Sequence, residues 1–377
     1  MVDLPIRPDA IGANFRRLES RPVNVSLRHT IGALVYDWIP FELHLRGLGP
    51  SKGLPDPWLL IRNRREVIST NGRGVECLWR FSSDLHISRV FPSTAARLMR
   101  RSLAAWPITM RDAPRPMSGP PRLTFIIGHR GTERLPHLLA TLRNIAAQTG
   151  VAFECIVVEQ SVAPEVERHL PPWIRYMHTP LPRPDLPYCR SWAFNVAARH
   201  ARGDILVLQD NDVLIPQRYA REAVQRIEEG YSFVDLKRYI YYLDASATAS
   251  VFVTGAPPKA APVLIVQNLD GGSIVARRDA YDAIGGFDES YVGWGGEDND
   301  FVDRARFFGG VYRFGYLPML HLQHPPQPGK LSPTTGAIRR YRLMETVAPE
   351  QRIARLRATE QGLMSGPSIP DDVRRGE

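Results

Sequence analysis

Three short, almost unbroken apolar runs constrain this chain most: Leu123–Gly128, Phe153–Val158 and Asp204–Leu208. Each ends in a polar turn, and helix-patterned sequence separates them. Between the first two, Leu135, Leu138, Leu139, Leu142 and Ile145 fall on one helical face. Between the second and third, Ser191–His200 reads as another helix. Runs that are apolar throughout suit strands buried on both faces. Strand and helix in alternation predict an α/β fold, a mainly parallel sheet flanked by helices. Ligands of such sheets bind beyond the carboxyl ends of the strands, so chemistry is expected just after each run.

The stretch 114–122, PRPMSGPPR, reads as a linker. Ahead of it, residues 1–113 carry short apolar runs (34–39 and 58–62) and turn clusters at 47–53 and 71–74. They predict a smaller, β-rich domain ending in a helix near Thr94–Ala105, with no evident chemistry. The α/β domain is expected over 123–345, and a tail, helical and then loose, over 346–377. A chain of 377 residues suits two domains. It has no apolar run of membrane-spanning length, and its N-terminus lacks a signal peptide's apolar core. Cys77, Cys155 and Cys189 are too widely spaced for a disulfide framework or a zinc knuckle. A cytoplasmic setting follows as the expectation.

The formal net charge is +9, and lysine occurs only at 52, 237, 259 and 330. The excess is therefore arginine, which suits phosphate and carboxylate; composition bias would give the same count. No nucleic-acid module is present, so nucleic acid is not an expected partner. A basic surface also suits anionic nucleotides, or peripheral contact with acidic lipid at the inner face of a membrane. Neither a G-x-G-x-x-G turn nor a P-loop occurs.

The third run leads into Asp210-Asn-Asp212. Two carboxylates at the exit of a buried strand suit Mg²⁺ or Mn²⁺, and equally an Asx-turn that ends the strand. Further on come Gly271-Gly-Ser and Gly293-Trp-Gly-Gly-Glu-Asp-Asn-Asp300. A helix starting at Glu297 places Glu297 and Asp298 in its first turn, where the dipole favours the anionic form. An ionised carboxylate there can accept a proton from a hydroxyl, and Trp294 offers a flat face to a sugar. In His321-Leu-Gln-His324, one or both imidazoles could complete a site begun by Asp212, a mixed set that suits Mn²⁺ better than Mg²⁺. Arg130 at the end of the first run, Arg190 ahead of the Ser191 helix and Lys237 after the strand-like Phe233–Leu236 stand where a cation could meet phosphate, or simply carry surface charge.

In order and spacing these motifs, with Val157-Val-Glu-Gln160 and Arg190-Ser-Trp-Ala-Phe-Asn195, resemble the metal-dependent glycosyltransferases of the GT-A fold over roughly residues 120–345. The chain is most similar to the β-1,4-galactosyltransferase type, through its C-terminal galactosyltransferase motif, and to bacterial family 2 glycosyltransferases. The resemblance implies a nucleotide-diphospho-sugar donor, a UDP-sugar first, held beside Mn²⁺ or Mg²⁺. Asp212 and His324 would be ligands, with Asp210 beside them; His321 stands where the galactosyltransferases have methionine. Arg130, Arg190 and Lys237 would contact donor phosphates, and Glu159, Asp210 and Gly272 would complete the donor site. Trp294 and Glu297 would line the sugar and acceptor site, and Asp298 would be the base. The implied reaction is an inverting transfer to a glycan, lipid-linked or other hydroxyl acceptor in polysaccharide synthesis. A nucleotidyltransferase and a non-catalytic, arginine-rich binding protein are the alternatives.

Overall fold

The computed structural model describes residues 26–48, 58–59, 65–70, 73–325 and 336–367. Fourteen strands fall among them. The N-terminal part holds β1 (Glu66–Ile68), β2 (Val75–Cys77) and β3 (Ser83–Asp84); then come β4 (Leu123–His129), β5 (Phe153–Ser161), β6 (Arg175–Pro180), β7 (Ile205–Gln209) and β8 (Val213–Leu214). The rest are β9 (Phe233–Val234), β10 (Lys237–Tyr242), β11 (Leu264–Gln267), β12 (Ser273–Arg277), β13 (Val311–Tyr312) and β14 (Leu317–His321). Helices used below are α1 (27–45), α2 (Pro92–Ala105), α3 (Leu135–Ala146), α4 (Arg190–His200), α5 (Glu297–Phe308), α6 (Gly336–Met344) and α7 (Pro349–Arg357).

The main sheet runs β13-β9-β12-β7-β4-β5-β6. Strands β7, β4, β5 and β6 are parallel, and β12 lies antiparallel to β7. The three apolar runs form β4, β5 and β7, adjacent and in step: Leu123 pairs with both Phe153 and Ile205, and Ile126 with both Ile156 and Leu208. That register brings Arg130, Gln160 and the Asp210–Asp212 turn out at one edge. Antiparallel β12 returns there, with Ser273 opposite Gln209. A second sheet, β3-β11-β10-β14-β8, meets the first through the short segment joining β7 to β8. Its pairing of His321 with both Val213 and Tyr242 sets the histidine motif beside the acidic turn.

The N-terminal part differs from expectation. The run 34–39, whose apolar character suggested a strand, is helical within α1, and helices outweigh the three short strands among the described residues. Nor does this part pack by itself. Strand β3 pairs with β11, and Leu85, Ile87, Leu98, Met99 and Trp106 share one apolar core with β4, β10 and β14. Residues 114–122 have no helix or strand and are largely exposed.

The C-terminal segment is helical and then irregular to residue 367, but it is docked. Arg352 reaches Asp300 at 2.8 Å, and Arg355 reaches Asp288 at 2.5 Å. The Trp192 indole donates to the Leu363 carbonyl at 2.7 Å. Asp300 and Arg304 are both within 1% of full burial and pair at 2.8 Å. Removing one member of such a pair leaves an uncompensated buried charge.

Candidate functional site

The acidic turn follows β7 and is braced from three sides. Thr141 of α3 donates to the Asn211 carbonyl at 2.9 Å. Gln209 donates to the Val213 carbonyl at 2.7 Å, and the Leu322 amide to the Asp212 carbonyl at 2.9 Å. Asn211 itself bonds His129 Nδ1 at 2.8 Å, while His129 Nε2 faces the Gly131 carbonyl at 2.8 Å. A ring held between a donor and an acceptor is neutral, and burial pushes its pKa down to about 4.

Asp212 is buried, and His324 Nε2 lies 3.1 Å from its Oδ2. His321 Nε2 is 3.8 Å from the other oxygen, its ring stacked on Tyr242 with centroids 4.2 Å apart. One ligand atom from each of Asp212, His321 and His324 fits within 4.8 Å of the others. Sequence reasoning missed Arg134, which donates to Asp212 Oδ2 at 3.0 Å and stands 2.7 Å from His324 Nδ1. Burial works to raise the Asp212 pKa, yet His321, His324 and Arg134 outweigh it and hold the carboxyl well below its usual range. One carboxylate and two imidazoles make a mixed oxygen and nitrogen donor set that fits a divalent ion of the Mn²⁺ kind, with Arg134 yielding its place on Asp212.

The second half is built on Arg190, at the start of α4. Its guanidinium meets Asp210 Oδ1 at 2.7 Å, Asp298 Oδ1 at 2.6 Å and Glu297 Oε1 at 3.6 Å. It also lies over the Phe194 ring, 4.6 Å from the centroid. The Asp210 amide donates to the Gly272 carbonyl at 3.0 Å. Gly272 has φ +90, a conformation glycine adopts without strain, and a Cβ on neighbouring Gly271 would overlap the Asp298 carboxylate. Enclosure together with Asp298 pushes Glu297 up to about 7, against the pull of Arg190. Asp210 rises to about 6, burial and the nearby Asp212 and Asp298 outweighing Arg190.

The Asp298–Asp300 triplet divides its three side chains. Asp298 turns to Arg190 in the cleft. Asn299 donates to Asp270 at 2.7 Å, and Asp300 is locked between Arg304 and Arg352. Arg130 meets no carboxylate: it donates to the Gln160 and Leu186 carbonyls and stacks on Tyr188, and its Nη2 is buried without a hydrogen-bond partner among the described residues. A guanidinium in that state is suited to an incoming anion.

Three expected positions differ. Asp210 joins the arginine rather than the Asp212–histidine group, because its side chain leaves the turn on the α4 side. Lys237 is buried at the start of β10, where its ammonium bonds Asp235 at 2.7 Å and the Ser273 carbonyl at 2.8 Å; those partners draw it away from the cleft. Glu159 is fully buried, accepting from Tyr176 at 2.6 Å, Ser161 at 2.8 Å and the Glu165 amide at 2.9 Å. Its carboxylate orders the loop after β5 instead of standing open to a ligand. Trp294 sits half-buried in the glycine-rich turn ahead of α5.

Residues 132–251 match the family model "Glycosyl transferase family 2", and residues 258–323 match "N-terminal domain of galactosyltransferase". Curated proteins give no match. Among solved structures, one similar chain is a mannosyltransferase from Pyrobaculum calidifontis in complex with GDP-Man and Mn²⁺. It is 16% identical at a TM-score of 0.39, with 71% of this chain and 81% of that chain covered. Another is the catalytic domain of Drosophila beta1,4galactosyltransferase 7 in complex with xylobiose. It is 17% identical at a TM-score of 0.27, with 51% of this chain and 64% of that chain covered.

Proposed function

We propose that the cleft belongs to a glycosyltransferase of GT-A type, in line with the two family-model matches, and that it moves a sugar from a nucleotide-diphospho-sugar to an acceptor hydroxyl with inversion. Asp212, His321 and His324 would hold the divalent ion, Mn²⁺ first. When bound, it supplies Lewis-acid stabilisation to the departing diphosphate. Arg130, with a buried and unpaired Nη2, receives phosphate oxygens. Asp298 accepts the acceptor proton at the carboxylate oxygen that faces Gly271. Arg190 orients Asp298 and ties it to Asp210 across the cleft. Glu297, in the same first turn, lines the acceptor side with Trp294. A UDP-sugar donor and a glycan or lipid-linked acceptor complete the reading.

One observation carries it: a single guanidinium joins the acidic turn after β7 to the first turn of α5, while two histidines flank the same acidic turn. The test is a thermal-shift screen of UDP- and GDP-sugars with and without Mn²⁺, followed by Asp298→Asn. The variant is expected to keep the donor-dependent shift and lose transfer. Transfer at the normal rate would show that another group takes the proton.

A further inference from the structure

We propose that the outward face of α1, with the arginines of α2 beside it, docks on an anionic lipid surface. The inward face of α1 is committed to the body of the protein. Phe41 and Glu42 are buried, and Glu42 accepts from Thr94 at 2.9 Å and Arg97 at 2.6 Å on α2. The other face keeps Leu27, Ile31, Leu34, Val35, Ile39 and Leu43 exposed, Leu27 to 76%. Singly exposed apolar residues are ordinary, but a continuous row marks an interaction surface.

The row has a geometric basis. Positions 27, 31, 35, 39 and 43 recur every four residues, and on a regular helix each step overshoots a full turn by about 40°. Residues Ala33–Trp38 are π-helical. Their wider i→i+5 turn takes out part of that drift and keeps the row on one side.

Charge identifies the occupant. Arg97, Arg100 and Arg101 line an open hollow of about 220 Å³ next to Glu42. Neither Arg100 nor Arg101 has an acidic partner among the described residues. Arg28 is exposed on α1 itself, while Arg46, just past its end, pairs with Glu42 at 3.6 Å. An apolar helix face edged by Arg28, Arg100 and Arg101, which have no acidic partner among the described residues, matches the boundary between acyl chains and phosphodiester headgroups. None of these residues belongs to the strand-exit cleft, so the surface stands or falls separately from sugar transfer.

The experiment sediments the full chain with vesicles of phosphatidylcholine alone or of equal parts phosphatidylcholine and phosphatidylglycerol. The wild type is expected to pellet with the anionic vesicles only, and less at high salt. The double variants Ile31→Glu/Val35→Glu and Arg100→Glu/Arg101→Glu should each weaken partitioning by about tenfold or more. Both should keep the wild-type melting temperature, since every changed side chain is exposed. Failure of the wild type to bind anionic vesicles overturns the proposal, as does undiminished binding by either variant. A stable dimer in light scattering that Ile31→Glu/Val35→Glu dissolves would assign the face to a second copy instead and overturn it equally.

Discussion

Gly271→Ala isolates the role of Asp298 without touching that residue. The backbone at 271 accepts an alanine, because its φ lies outside the left-handed range. Space is the obstacle: the new methyl would overlap Asp298 Oδ2 and lie 3.1 Å from its Cγ. To regain ordinary van der Waals separation the carboxylate must retreat by about 1 Å, which stretches its 2.6 Å contact with Arg190. A displacement of that size at a reacting group costs roughly 10²-fold in rate. Stability should change little, since a Gly→Ala gain of about 0.4–1 kcal/mol offsets the loosened ion pair. The assay is nucleoside-diphosphate release from a donor chosen by thermal shift, with the melting temperature and the donor-induced shift measured in parallel. A drop of about two decades with both thermal readouts unchanged is the expected result. Wild-type turnover would refute the claim that the Asp298 carboxylate must sit where it does.

Asp212→Ala should abolish any Mn²⁺-dependent thermal shift, because it removes the only carboxylate of the described metal-ligand group; an undiminished shift would place the ion elsewhere. Asp300→Ala leaves Arg304 and Arg352 buried without their shared counter-ion, at a cost on the order of 3–5 kcal/mol. Chemical denaturation should show that loss, against little change in Asp298→Asn. His129 stays neutral in the fold with its pKa down at about 4, while its ordinary value is 6.5. The unfolded chain therefore binds the proton first, and stability is lost as pH falls from 6.5 to 4. His129→Gln should flatten that part of the melting-temperature profile.

The sheet was legible because its central strands are apolar on both faces, a pattern that needs no knowledge of partners. The same pattern located the strand exits, and with them Arg130 and the acidic turn, while Arg190 was placed by the helix that begins beside it. Contacts that depend on distant pairing were harder to read. His321 and His324 meet Asp212 only because β14 pairs with β8. Arg134 has no motif of its own; its place directly ahead of the Leu135 helix, beyond the first strand, was the available signal. Lys237 shows the opposite error, since position along a strand says nothing about a half-buried carboxylate two residues away. The two D-x-D triplets are alike in sequence, and only tertiary packing separates the Asp298 that faces the cleft from the Asp300 that anchors the tail. In α1, apolar residues four apart already follow helical spacing, but the bulky run 34–39 concealed it.

The docked C-terminal segment bears on how this protein can be handled. A fragment trimmed at residue 345, where the α/β pattern ends, would strip two arginines from Asp288 and Asp300 and bare the indole of Trp192. Such a fragment would carry every cleft residue and still be prone to aggregate, so expression and crystallisation work should retain the chain at least through residue 367.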